Sequence, residues 1–218
     1  QRLHVELGHE AKVYDQMATQ MVAEIRQYTA EAKIPLVKFL RLAQISGGFV
    51  TTDKGKVVRV GTSKIDAVRP HVEQCMENEE RIAITARFKP ELDALYSMAQ
   101  KFKVPVFEIR GGMPKGQMRI DKQQAIRHKG PLIYILQPRA ASLGIDLSFL
   151  SRMMWYSLTN SFVDYSQCCD RIALSRKSTT FTYFLCEGID TFLYDEMLTG
   201  DGQFLQALRQ KPERILRK

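Results

Sequence analysis

From residue 82 onward the chain alternates short apolar runs with segments of helical period. This alternation constrains its fold more than any other feature. Ile82-Ala83-Ile84-Thr85 is of strand length. Leu92, Leu95, Tyr96, Ala99 and Phe102 mark a helix, with Pro90 in its first turn, where a missing N–H leaves no bond unmade. Residues 104–109 read as a strand that starts near Pro105, and 116–128 as a basic helix. Leu132-Ile133-Tyr134-Ile135-Leu136 is apolar throughout, as expected of a strand buried on both faces. Met153-Met154-Trp155-Tyr156 and Phe181-Thr182-Tyr183-Phe184-Leu185 are two further strands. A helical stretch over 163–174 separates them, and a closing helix over 191–198 follows. Strands alternating with helices predict an α/β fold with a mainly parallel sheet.

The first part of the chain reads differently. Val13, Met17, Met21 and Ile25, spaced by four, predict an amphipathic helix over 10–28. Residues 36–45 form a second apolar stretch, ending at Gly47-Gly48. Residues 51–62 form a loop or short hairpin around Asp53-Lys54-Gly55, and Ser63 is placed to cap a helix reaching about residue 76. Read this way, the first sixty residues hold no strand. The expected organisation is a helical adjunct over 1–61 packed on an α/β core over 62–200, with a basic tail over 201–218.

Charge narrows the partner. Lys and Arg number 32 against 24 Asp and Glu, a formal net charge of +8. The stretch 110–129 alone carries a net +5 beside Gly111-Gly112, and the last ten residues a net +4. A basic excess points to an anionic partner, of which nucleic acid is the commonest, although a basic tail is more often a solvated helix face. The cysteines, Cys75, Cys168, Cys169 and Cys186, form no Cys-x-x-Cys pair, and with four His a metal site is not expected. A chain of 218 residues buries roughly 70% of its unfolded surface and needs no disulfides to fold. Adjacent Cys168 and Cys169 suit a reducing compartment. No signal peptide and no run of ~18 apolar residues is present. The expectation is a soluble, intracellular protein without a membrane partner, cytoplasmic in a bacterial or phage-infected cell and nuclear in a eukaryotic one. The chain begins at Gln1, which is expected of a piece of something longer.

Ligands of such a sheet bind at the carboxyl ends of its strands. The usual anion cradles are missing: there is no Gly-x-x-x-x-Gly-Lys-Ser/Thr and no Gly-x-Gly-x-x-Gly. Gly-x-Ser-x-Gly and His-Glu-x-x-His are absent too. Three other segments stand in order. Arg81-Ile-Ala-Ile-Thr-Ala-Arg-Phe88 is a strand leading into Arg87 and Phe88. Leu136-Gln-Pro-Arg-Ala-Ala-Ser-Leu-Gly-Ile-Asp-Leu147 follows the most buried strand. Its small residues let backbone approach a ligand, and Asp146 can accept a bond from a sugar hydroxyl. In Gln167-Cys-Cys-Asp-Arg-Ile-Ala-Leu-Ser-Arg176, a helical Arg171 can meet a phosphate. Taken singly, Arg171 reads more often as a surface ion pair, Asp146 as a cap and Ala140-Ala141 as close helix packing.

Together these segments resemble the second, C-terminal motor lobe of a superfamily-two ATPase of the Swi/Snf-like branch, in its compact phage or bacterial form. Tyr14-Asp15 is similar to the early helix of that lobe, Leu40-Arg41-Leu42-Ala43-Gln44-Ile45 to its LRxxQI segment, and Ser63-Lys64-Ile65 to its SxK segment. Residues 82–88 resemble motif four, and Arg110-Gly111-Gly112 with Arg119 the stretch that follows it. Leu143-Gly144-Ile145-Asp146-Leu147 resembles the core of motif five, the run from Tyr156 to Arg171 leads into motif six, and Glu187-Gly188-Ile189-Asp190-Thr191 resembles the closing strand-to-helix turn.

The resemblance implies a RecA-like lobe. In that family two lobes face each other across a site for ATP and Mg2+, and the missing N-terminal lobe holds most of both. It implies Arg171, with Arg176, as catalytic arginines near the γ-phosphate. Gly144, Asp146 and Gln167 are implied near the nucleotide, and Arg87, Phe88, Arg110, Gly111, Lys115 and Arg139 along a nucleic-acid backbone. The partner it points to is duplex DNA. The chain departs from the pattern at Leu174, where the second motif-six arginine belongs, and Arg176 stands two residues on. It departs also at Gln137, where motif five has Ser or Thr, at Ala141-Ser142, where it has Gly-Gly, and in lacking the Gly-Gln after motif six. Two other readings stay open: a binding module for nucleic acid or protein without ATP turnover, and a small-molecule enzyme on a doubly wound sheet.

Overall fold

The computed structural model describes residues 1–20, 22–25, 28–31, 35–141, 147–173 and 178–199. The elements run β1 (Arg2–Val5), α1 (Glu10–Gln20), β2 (Val22–Ile25), β3 (Tyr28–Glu31), α2 (Pro35–Ser46), β4 (Phe49–Thr51), β5 (Val57–Arg59), α3 (Ser63–Glu77), β6 (Arg81–Thr85), α4 (Lys89–Ala99), β7 (Val106–Ile109), α5 (Lys115–Arg127), β8 (Leu132–Leu136), α6 (Pro138–Ala141), β9 (Arg152–Trp155), α7 (Phe162–Ala173), β10 (Thr180–Cys186) and α8 (Ile189–Thr199). A single 3-10 turn, Gln100–Phe102, extends α4.

Six strands form one sheet in the order β1-β10-β9-β6-β8-β7, and the pairings of β6 with β8 and β9, of β7 with β8 and of β9 with β10 are parallel. The fold is the expected α/β one, a mainly parallel RecA-like sheet with flanking helices. Every residue of β8 is buried, because a central parallel strand has a layer over each face. Pro105 lies just before β7, so its missing N–H falls outside the strand, and its carbonyl accepts the Ile133 amide at 3.0 Å.

The chain divides into two compact units: residues 1–3 with 68–183, and 4–67 with 184–218. In the first unit, the Trp155 side chain is fully buried against Tyr165 and stacked with Tyr183 at 5.0 and 6.3 Å between ring centres. The Tyr165 and Tyr183 hydroxyls bond each other at 2.7 Å. In the second unit, Lys64 and Asp190 form an ion pair whose side chains are 1% and 3% exposed. The Asp190 carboxylate also accepts the Cys186 amide at 3.0 Å and the Ser46 hydroxyl at 3.1 Å. The Ile189 amide donates to the Tyr14 hydroxyl at 2.8 Å.

Three expectations need correction. The helix predicted over 10–28 ends at Gln20, and β2 pairs antiparallel with β3, Val22 opposite Glu31. A spacing of four is even, so it fits the two-residue period of a strand as well as a helix, and Val22, Ile25 and Tyr28 favour the strand. The first sixty residues are not free of strands. They hold β1 to β5, which at three or four residues each are too short to show a period. Nor does the Ser63 hydroxyl cap α3: it accepts the Gly8 amide at 2.9 Å, while the Ser63 amide donates to the Glu10 carboxylate at 3.1 Å. Glu10 is close enough to Gly61 that a Cβ there would fall 2.1 Å from its Oε2.

Candidate nucleic-acid interface

The parallel register decides which residues emerge together at the carboxyl edge. Thr85 of β6 pairs with Leu136 of β8, which pairs with Ile109 of β7. The ladder then runs one residue further: the Ala86 amide donates to the Leu136 carbonyl at 3.0 Å, and the Gln137 amide to the Ile109 carbonyl at 2.8 Å. Arg87, Arg110 and Gln137 therefore leave the sheet side by side.

An open cleft of about 560 Å³ lies there, lined by Lys89, Arg110, Gly111, Gly112, Met113, Met118, Gln137, Arg139 and Ala140. Lys89, Arg139 and both glycines are exposed. The Met113 amide donates to the Arg110 carbonyl at 3.3 Å, closing a turn whose third residue, Gly112, has φ +95°, a conformation that favours glycine. Arg110 is held by two carboxylates, Asp93, which is 62% exposed, and Glu108, whose Oε1 lies 3.2 Å from its Nε. Burial pushes the Glu108 carboxyl above its ordinary value, and Arg110 opposes that shift.

Arg87 sits in a second arrangement. Its guanidinium lies over the Phe88 ring at 5.0 Å, and its amide donates to the Ser157 hydroxyl at 2.8 Å. The buried Glu91 carboxylate accepts the Phe88 amide at 3.0 Å and the Ser157 hydroxyl at 2.6 Å, fixing the start of α4. Burial lowers the Arg87 pKa, against the attraction of Glu91.

The structure thus brings Arg110, Gly111 and Arg139 to one cleft and sets Arg87 and Phe88 on the loop after β6. Lys115 is the first residue of α5. Two further helix residues, Gln167 and Arg171, stand one turn apart on α7, which packs against α6 and so against the segment carrying Arg139. Gln167 is exposed. Arg171 is half-buried, and its Nε has no hydrogen-bond partner among the described residues. Gly144, Asp146 and Arg176, like Leu174, lie outside the described residues. Among the described residues no group of three or more His, Cys, Asp or Glu stands close enough to hold a metal ion, and no helix is long and apolar enough to cross a membrane. The sequence reading missed Lys89 and the two methionines of the cleft. For Lys89 and Met113 the one signal was position, four residues beyond the ends of β6 and β7, while Met118 lies inside α5.

The model of the helicase conserved C-terminal domain matches residues 63–174, half of the chain. The chain belongs to this family. A comparison with curated proteins finds no match. Among solved structures, the helicase domain is similar to the Sulfolobus solfataricus SWI2/SNF2 ATPase core in complex with dsDNA, at 14% identity and a TM-score of 0.66 over 95% of this chain and 45% of that one. It is similar to the C-terminal part of the Fun30 ATPase domain at 19% identity and a TM-score of 0.56, over 61% and 44% of the two chains. A third is domain 2 of the DEAD-box helicase Mss116p bound to an RNA duplex, at 16% identity and a TM-score of 0.53 over 61% and 54%. At these identities the likeness is one of fold, that of a RecA-like lobe. The chain spans about half the length of each of these structures, 44–54%.

Proposed function

We propose that this chain is the second motor lobe of an ATP-dependent DNA helicase or translocase. In this reading its strand-end cleft follows a nucleic-acid backbone, and its α7 arginine serves an ATP site shared with an N-terminal lobe. The observation that carries the reading is the cleft, in which Lys89, Arg110 and Arg139 converge at the carboxyl edge of a helicase-family sheet. Cations on strand-end loops meet phosphates without reading bases, so binding is sequence-independent and falls with salt. Two of the similar structures hold a duplex, DNA in one and RNA in the other, and the closer in coverage favours DNA.

Bound ATP would supply the phosphoryl group whose transfer drives the motor. Arg171 fits the neighbourhood of that group. It is a half-buried cation on an N-capped helix, with an Nε–H that spends no bond among the described residues. Its role is to stabilise negative charge as it develops on the γ-phosphoryl oxygens. Gln167, one turn earlier and exposed, is placed to orient the same group. The phosphate cradle and the carboxylates for Mg2+ fall to the N-terminal lobe.

Arg171→Gln in the protein carrying both lobes tests the assignment. ATP turnover falls by about 10³-fold or more, on the scale of other arginine fingers, and DNA affinity changes by less than about twofold. Retained turnover contradicts it.

A further inference from the structure

Gln137 spends every polar group it owns. Its amide donates to the Ile109 carbonyl at 2.8 Å, and its carbonyl accepts the Ala140 amide at 2.9 Å. Its side-chain Nε2 donates to the Arg87 carbonyl at 3.0 Å, and its Oε1 accepts the Gly111 amide at 2.8 Å. One residue therefore ties together the end of β7, the start of α6, the loop after β6 and the turn over 110–113. A carboxamide offers a donor and an acceptor on two separate atoms at the end of one side chain, and Gln is long enough to span two loops. The turn is built to receive it: a Cβ on Gly111 would already lie 3.3 Å from the Gln137 Oε1.

The three cations of the cleft ride on the three segments so joined. Lys89 is two residues beyond Arg87, Arg110 precedes Gly111, and Arg139 is two residues beyond Gln137. Phosphates along a strand have a fixed spacing, so cations gain from acting together only if their own spacing is fixed. We propose that Gln137 is a positioning residue, whose carboxamide sets the spacing of Lys89, Arg110 and Arg139 and so lets them engage one nucleic-acid backbone together. This rests on the cleft being the nucleic-acid surface.

The test is a double-mutant cycle on the 218-residue chain, read by fluorescence anisotropy with a 20-base-pair duplex. Gln137→Met keeps length and shape and removes both side-chain bonds. It weakens binding by about tenfold in the wild-type background and by less than about twofold in an Arg110→Gln, Arg139→Gln background, where spacing no longer matters. A tenfold loss in both backgrounds, or none in either, overturns the proposal. Gln137→Asn, too short to span both loops, behaves as the Met variant, and wild-type binding by it overturns the bridge. Hydrogen exchange on the unaltered chain is the check that needs no variant: the Gly111 amide exchanges at least about tenfold more slowly than that of exposed Gly112, and equal fast exchange overturns the frame. If the wild-type chain binds no duplex at all, the proposed function itself fails and this inference with it. If it binds while the cycle is additive, only the inference fails.

Discussion

In the proposed interface an exposed ion pair, Asp93 with Arg110, competes with the backbone for one guanidinium. The Asp93 carboxylate occupies the guanidinium that a phosphate would use, and an exposed pair of this kind is worth only about 0–1 kcal/mol, so a phosphate displaces it readily. Asp93→Asn removes the competitor, and the variant chain binds duplex DNA about threefold to tenfold more tightly. Unchanged or weaker binding in the anisotropy titration would show that Arg110 does not meet the backbone. A gain cannot come from damaged folding. Glu108 behaves differently because it is buried. Its carboxyl is held above the ordinary range, so the folded chain takes up a proton more readily than the unfolded one. The stability it contributes is present at low pH and is lost as pH rises from the ordinary carboxylate range through the raised value. Glu108→Gln therefore raises the melting temperature at pH 7 and leaves it unchanged at pH 4, and a larger rise at pH 4 would contradict the sign. The thiols follow the same logic. Burial pushes Cys75 up to about 11 and Cys169 and Cys186 up to about 12, so alkylation at pH 8 is slow until the chain unfolds. At this scale the sequence marked Arg110, Gly111 and Arg139. It exposed Gln137 only as a departure from motif five, because its bonds run to loops 26 and 50 residues away. Lys89 and Asp93 look like any charged residues on a solvated helix.

Among the elements, α7 and the buried pair of the second unit carry separate predictions. Ser161 caps α7, its hydroxyl accepting the Asp164 amide at 3.2 Å, and Ser161→Ala costs about 1 kcal/mol in urea unfolding. A negligible change would place the start of α7 elsewhere. Removing one member of a buried ion pair costs more than the pair itself contributes, because it leaves a charge without compensation. Lys64→Met is thus destabilising by about 3–5 kcal/mol, and adding Asp190→Asn restores part of the loss. The same two measurements by denaturant titration check both statements, and additive losses would refute the pairing. Legibility at this scale followed burial. β6, β8 and β9 were plain because both faces of a parallel strand are covered and their apolar runs are continuous. β1 to β5 were not, because three or four residues do not establish a period, and the spacing over residues 13–25 satisfied two periods at once.

For the whole molecule, segments far apart in sequence meet in two places. Tyr14, Ser46, Lys64 and Asp190, each in or beside a stretch that resembled the family, converge on one buried polar network in the second unit. Arg110, Gln137 and Arg139 converge on one cleft in the first. Order along the chain made the lobe legible from sequence, since spacing between motifs survives where identity does not. The cleft's chemistry was not, because it depends on which strand ends lie side by side. The central claim, that this cleft holds a nucleic-acid backbone by charge, is tested most directly by the salt dependence of duplex binding between 50 and 200 mM salt. Wild-type affinity is independent of base sequence and falls with salt, and replacing Lys89, Arg110 and Arg139 by Gln makes the slope of log K against log salt shallower by about 3, one counterion per lost phosphate contact. An identical slope in the triple variant, or no binding by the wild-type chain at low salt, would contradict the account.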